Sequence, residues 1–320
     1  MASEFDLIAR HFTWPSPGAL LAVGDDAALL SPAAGAALAV STDLLVEGTH
    51  FLAGTDPRRL GHKCLAVNLS DLAAMGARPR WFTLGLSLPA VDEAWLAAFA
   101  AGMRALAQAH GIELVGGDTT RGPLTIAITV IGEVPAGEAL RRDGAQAGDE
   151  VWVSGELGEA ACALLALQGR AGSRAAVFAR GRERLEAPRP RVALGLALRG
   201  VASAAIDVSD GLCADLGHVL ERSGVGARVR VDDLPRSDAL AGCRDDPAVR
   251  AAVLGGGDDY ELCFTAPASR HDRVLAAGAA AGVRVSAVGE IVAGRELVLL
   301  DGHGAVVRPP RAGYDHFSDG

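Results

Sequence analysis

The chain has 320 residues, 50% hydrophobic and 22% charged, a globular composition long enough for two domains with separate cores. Its formal net charge of −9 excludes nonspecific binding to nucleic acid or anionic membrane, since both need a basic surface to displace counterions. No apolar run reaches the length of a membrane span, and the opening MASEFDLIARHF lacks the charged start and apolar core of a signal peptide, so a cytoplasmic protein is expected.

The first third alternates strand and helix. VGDDAALL (23–30) sets two carboxylates side by side after a glycine; at ~5 Å and an effective dielectric of ~20 they repel by about 3 kcal/mol. An isolated Gly-Asp-Asp is still most simply a turn. AALAVSTD (36–43) reads as a strand, residues 59–77 as a helix, and RWFTLGLSLP as a strand closed by Pro89. A helix follows over 92–110, with Asp92 as N-cap and Gly111 just past its end. IELVGGD and LTIAITVIGEV are strands, and the polar, glycine-rich residues 135–148 are the candidate interdomain linker.

The second part restarts with the strand DEVWVSG, then helices near 157–169, 175–186 and 189–200. SAAIDVSD (203–210) is a strand ending in acids, followed directly by the helix GLCADLGHVLERSG. Further strands are expected near 227–231, 260–265, 284–290 and 296–300, with helices near 247–254 and 268–281. Five cysteines, with no Cys-x-x-Cys pair and no histidine at zinc-ligand spacing, read as reduced, buried thiols.

Acids gather at strand ends and glycine turns, where side chains from distant segments can converge: Asp26, Asp43, Asp118, Asp207 with Asp210, and Asp258 with Asp259. Asp71 lies mid-helix, three residues after Asn68 on the same face. Any one of these reads as a cap or turn; the set favours hard oxygen ligation of Mg²⁺, an ion usually shared with substrate phosphates. The phosphate-loop motif G-x-x-x-x-G-K-[ST] is absent and Lys63 is the only lysine; no G-x-G-x-x-G, protein-kinase signature set or G-x-S-x-G occurs either.

Taken in order, GDDAAL, STDLLVEGTHF, NLSDLAAMGARP, GGDTTRGP, DVSDGL, GGGDDYEL and GYDHF resemble the thiamine-monophosphate kinase family of the AIR synthetase-like ATP-binding superfamily, from about residue 4 to residue 317. The resemblance implies an α+β, two-domain AIR synthetase-like fold. Its N-terminal α/β sandwich (1–137) would join that of a second subunit in a barrel-like homodimer, its C-terminal α/β domain would span 148–320, and ATP with several Mg²⁺ ions would lie between them. It implies direct transfer of the ATP γ-phosphoryl group to thiamine monophosphate, giving thiamine diphosphate and ADP. By motif, Asp26, Ser41, Thr42, Asp43, Asp71, Asp118, Asp207 and Asp210 would be metal ligands. Gly117, Asp118, Arg142 and Ser209 would contact ATP; His50, Asp258 and Tyr314 would contact thiamine monophosphate. Two departures stand out: position 258 is Asp where the family often has Glu, and Tyr314 fills a place where other aromatics occur.

The acceptor chemistry needs no catalytic side chain, because a phosphate monoester with its second pKa near ~6 is already mostly an oxyanion. The obstacle is repulsion between two anions in a negatively charged protein, which bound metal ions relieve. Thr119, Thr120 and Arg121 could donate to phosphate oxygens or form a polar turn, and His50 alone reads equally as structural. Among superfamily relatives, selenophosphate synthetase should show a reactive N-terminal cysteine and the hydrogenase-maturation dehydratase should end in cysteine; this chain does neither. AIR synthetase is set apart less sharply, by GGDTTRG and the GYDHF tail. A non-catalytic nucleotide-binding protein remains the alternative from another class.

Overall fold

The computed structural model describes residues 3–308, and its contacts group the chain into two units, Met1–Leu72 with Ala77–Gly137 and Ala73–Gly76 with Glu138–Gly320. In the first unit, helix α1 (Glu4–Leu7) is capped by Ser3 and runs into a π-helical turn at Ile8–Phe12. Strands β1 (Ala19–Leu21) and β2 (Leu29–Leu30) pair as a small antiparallel ribbon, with Asp25 and Asp26 in the loop between them.

The main sheet of this unit contains β3 (Ala36–Val46), β4 (Arg78–Leu88), β5 (Glu113–Arg121) and β6 (Thr125–Pro135) in the order β3-β6-β4-β5, with only β4 and β5 parallel. Its helices are α2 (Pro57–Ala74) and α3 (Glu93–His110). The expected caps of α3 are present: Asp92 accepts the N–H of Ala94 and Trp95, and Gly111 takes the left-handed conformation that ends the helix.

Strand alternation separates two faces. Ile126, Ile128 and Val130 of β6 and Phe82, Leu84 and Leu86 of β4 are buried, as are Leu65, Leu69 and Leu72 of α2. Ser41 and Asp43 register with Val130 and Ile128 and so lie on this inner face, toward α2. On the opposite face Leu38, Val40 and Leu44 are 46%, 61% and 55% exposed, in register with Glu133, Ile131 and Ala127.

The second unit has a seven-stranded sheet built from β7 (Asp149–Ser154), β8 (Ala204–Val208), β9 (Gly226–Arg230), β10 (Glu261–Pro267), β11 (Val285–Val292), β12 (Leu297–Leu300) and β13 (Val306–Val307). The order is β13-β12-β9-β11-β7-β10-β8, and only β12 and β9 are parallel. Its helices are α4 (Glu159–Leu167), α5 (Ala175–Phe178), α6 (Arg182–Glu186), α7 (Val192–Leu198), α8 (Leu212–Ser223), α9 (Asp238–Ala241), α10 (Pro247–Gly255) and α11 (His271–Ala280). One core joins Val151, Val153, Ile206, Leu216, Val229 and Val288.

Local chemistry reshapes three expected segments. The helix expected over 175–186 is α5, a 3-10 turn at Ala179–Gly181 and α6. The one expected over 189–200 shortens to α7, because Pro188 and Pro190 disfavour helical backbone before Arg191. In the glycine-rich stretch after 137, Leu140 and Ala145 are buried, and Ala145 belongs to the second core. Cys64, Cys162 and Cys263 are buried free thiols, Cys213 and Cys243 are half-buried, and burial pushes Cys162 up to about 12 and Cys213 up to about 11. Among the described residues no helix is long and apolar enough to cross a membrane.

Candidate active site

In the β1–β2 loop, Asp25 spends one carboxylate oxygen on the N–H of Asp26, at 2.9 Å, which makes it a turn-forming residue; the Asp26 side chain is exposed. Strand β3, which runs on past the expected end at Asp43 to Val46, is tied to α2 twice. Ser41 donates its hydroxyl to Asp71 Oδ2 at 2.5 Å, and the Asp43 N–H donates to Asn68 Oδ1 at 3.2 Å, while Asn68 Nδ2 donates to the Cys64 carbonyl at 2.9 Å. Ser41 and Asp71 therefore meet as hard oxygen donors held by a strand and a helix, with Asp43 two residues along β3 on the same face.

Thr42 does not join them through its side chain. Alternation turns it to the opposite face, where its hydroxyl lies 2.8 Å from that of Thr129. His50 closes the turn after β3: the Val46 N–H donates to its Nδ1 at 3.0 Å, so the neutral ring carries its proton on Nε2.

Gly117 and Asp118 lie on β5, the other edge strand of the sheet. Asp43, Ile128, Leu84 and Gly117 form one row across the four strands, so Asp43 and Gly117 are separated by about 14 Å at ordinary strand spacing. The sheet thus keeps Asp118 apart from the Asp43–Asp71 group. Gly117 has φ of 152°, and a Cβ there would lie 1.9 Å from the Leu84 carbonyl oxygen, so no side chain fits. A pocket of about 40 Å³ lies beside Gly117 and Asp118, with apolar walls from Ile8, Phe12, Val23 and Leu114. Thr119, Thr120 and Arg121 continue β5 in register with Leu86–Leu88 and form no separate turn.

In the second unit, Asp207 is buried on β8, and Ser209 and Asp210 follow in the turn before α8. Asp215, in the first turn of α8, reaches back: its Oδ2 accepts the N–H groups of Ser209, Asp210 and Gly211 at 3.1, 3.1 and 3.0 Å. Burial, followed by the charges of Asp207 and Asp210, pushes the Asp215 carboxyl up to about 7.

The GGGDDYEL segment lies against this turn. The Asp258 N–H donates to the Ser209 carbonyl and the Tyr260 N–H to that of Val208, both at 2.9 Å. Asp258 and Tyr260 have left-handed backbones with φ of 68° and 50°, uncommon for residues with side chains, and the Tyr260 hydroxyl donates to Asp258 Oδ1 at 3.2 Å. Between them Asp259 turns inward and accepts the Gly158 N–H at 2.8 Å; burial pushes its carboxyl well above the usual range. The fold therefore brings Asp207, Ser209, Asp210 and Asp258 together. Arg142 is exposed, and the adjoining Arg141 carbonyl accepts from Ala205, which puts Arg142 by the start of β8, at the far end from Ser209. Tyr314 lies outside the described residues.

Asp215 and Tyr260 escaped the sequence reading, where the only hint was an acid one turn into a helix after Asp-Gly; Asp259, read with Asp258 among the acids before a strand, turns inward instead. Among the described residues no three His, Cys, Asp or Glu side chains form a ready-made metal cage. The oxygen-rich set of Ser41, Asp43 and Asp71 suits Mg²⁺, which keeps water and substrate oxygens in its shell.

The AIR synthase related protein, N-terminal domain model matches residues 24–134, and the AIR synthase related protein, C-terminal domain model matches residues 146–302. The chain is 47% identical over 319 residues to the thiamine-monophosphate kinase of Salmonella typhimurium, covering 98% of each. It is similar to the crystal structure of thiamine-monophosphate kinase from Stenotrophomonas maltophilia K279a, at 50% identity and a TM-score of 0.84 over 90% of this chain and 93% of that one. A structure described as AaThiL complexed with AMPPCP and TMP matches at 30% identity and a TM-score of 0.78, covering 90% and 89%.

Proposed function

The chain belongs to the AIR synthase-related proteins and, within them, to the thiamine-monophosphate kinase family, and from that premise we propose that it transfers the ATP γ-phosphoryl group directly to thiamine monophosphate. The observation that carries this reading is the bond from the Asp258 N–H to the Ser209 carbonyl, which sets side by side the two turns we assign to nucleotide and acceptor. The related complex with AMPPCP and TMP supports the pairing of a nucleotide with a phosphorylated acceptor.

Ser209, Gly117 and Arg142 bind the nucleotide, with Asp118 shared between nucleotide and metal. Asp26, Ser41, Asp43, Asp71, Asp207 and Asp210 hold Mg²⁺, with Thr42 between two of them in sequence although its hydroxyl faces Thr129. Several Mg²⁺ ions supply neutralisation of phosphate charge and alignment of donor and acceptor when bound. His50, Asp258 and Tyr314 orient the acceptor, Tyr314 by offering an aromatic face to the cationic rings. The acceptor phosphate is already ionised, so no side chain must remove a proton, and the protein contributes position and charge.

The exposed apolar row Leu38, Val40 and Leu44 on an edge strand supports a homodimer in which a second copy covers this face. Free cysteines and an ATP-dependent reaction support a cytoplasmic setting. Incubation with ATP, Mg²⁺ and thiamine monophosphate, with chromatography of products, should yield thiamine diphosphate and ADP; ATP binding without thiamine diphosphate would leave only a nucleotide-binding protein.

A further inference from the structure

We propose that Asp215 is a positioning residue for nucleotide binding: its carboxylate holds the Ser209–Gly211 turn in the shape that presents Ser209 and Asp210 to the nucleotide and its metal ion. The inference rests on the assignment of Ser209 and Asp210 just given. Three consecutive main-chain N–H groups converge on one oxygen, Oδ2, at 3.0–3.1 Å. Ser209 and Asp210 are themselves half-exposed, while their amides are turned inward.

The convergence has no substitute in its surroundings. Asp215 is 2% exposed, so water cannot readily take the place of its carboxylate. Gly211, at φ 114°, has no room for a side chain: a Cβ would lie 2.6 Å from the Gly255 carbonyl carbon. From the other side, the Asp258 and Tyr260 N–H groups fix the Ser209 and Val208 carbonyls.

The test uses the full chain and the variants Asp215→Ala, Asp215→Ser and Asp215→Asn. The Asn side chain offers a single oxygen where Oδ2 stands, so it can accept the same three amides without charge. Binding of a non-hydrolysable ATP analogue with Mg²⁺, read by calorimetry, should weaken about tenfold or more in the Ala and Ser variants and stay within about threefold in the Asn variant. KM for ATP should rise more than KM for thiamine monophosphate, and amide hydrogen exchange at 209–211 should be slow in the wild type and in the Asn variant.

The Ser variant carries the test if the Ala variant does not fold. A Ser variant that melts like the wild type and binds the analogue with unchanged affinity overturns the proposal. So does an Asn variant as weak as the Ser variant, because charge and not the held turn would then matter, and so does fast exchange at 209–211 in the wild type. Calorimetry needs no turnover, so the two readings fail separately: a wild type that makes no thiamine diphosphate removes the acceptor assignment, while lost analogue affinity in the Ser variant still supports the role of Asp215.

Discussion

Arg191→Met removes the guanidinium that neutralises a carboxylate buried at the start of β10. Glu261 is 1% exposed; its Oε2 accepts Arg191 Nε and the Ser154 hydroxyl, each at 2.6 Å, and its Oε1 pairs with Arg191 Nη2. Breaking a buried pair from one side costs about 3–5 kcal/mol, because a charge is left uncompensated. Arg191 is 15% exposed at its side chain and Arg184 Nη1 lies 3.9 Å from Glu261 Oε1, so partial relief puts the expected loss near the lower end, about 3 kcal/mol. For a unit of this size that is a fall in Tm of roughly 6–12 °C. Adding Glu261→Gln removes the stranded charge and should recover about half of the loss. Calorimetric melting of the wild type, the single variant and the double variant measures both effects. Glu261 directly follows the left-handed Tyr260, so KM for thiamine monophosphate should rise more than KM for ATP. A single variant that melts within about 1 °C of the wild type, or a double variant less stable than the single one, would refute the reasoning.

Three other outcomes follow from separate parts of the molecule. Ser41→Ala removes a hydroxyl assigned to the metal and bonded to Asp71, and the Mg²⁺ concentration giving half-maximal rate should rise about tenfold with little change in Tm; an unchanged Mg²⁺ titration counts against the Ser41–Asp71 pair as a metal site. Asp246 caps α10 through the Ala248 N–H, and Arg174 beside it holds its carboxyl below the usual carboxylate range. A depressed carboxyl stabilises the fold above its unfolded pKa and loses that contribution as pH falls through the lowered value. Asp246→Asn should therefore lower Tm at pH 7 and flatten the decline toward acid, as melts between pH 7 and pH 3 would show. Val40→Lys, on the exposed face of β3, should shift the mass by light scattering from twice the chain mass to the 32.7 kDa of one chain, and a wild type already at 32.7 kDa would rule out the dimer.

Local signals were the legible ones. Asp92 and Gly111 mark the ends of α3 because capping is settled within one turn, and the strands carrying Asp43 and Asp207 announce themselves by the apolar residues before those acids, although each strand runs on past its acid. Thr42 could have been turned away from Ser41 and Asp43 by the two-residue alternation of a strand alone. The placement of Asp43 and Asp118 on opposite edges depends on strand order, which long-range pairing decides. The same is true of Leu140 and Ala145: a glycine-rich setting suggests a linker, but Ala145 is buried in the second core and Leu140 beside Met75 and Gly76. Asp215 escaped because its partners are main-chain amides, which no side-chain motif records.

The most direct test of the account follows the phosphorus itself. With ATP made chiral at the γ-phosphorus and thiamine monophosphate as acceptor, the label should appear in the terminal phosphate of thiamine diphosphate with inverted configuration, as a single in-line transfer requires. Retention of configuration, label trapped on the protein, or label released without thiamine diphosphate would contradict direct transfer between the two bound substrates.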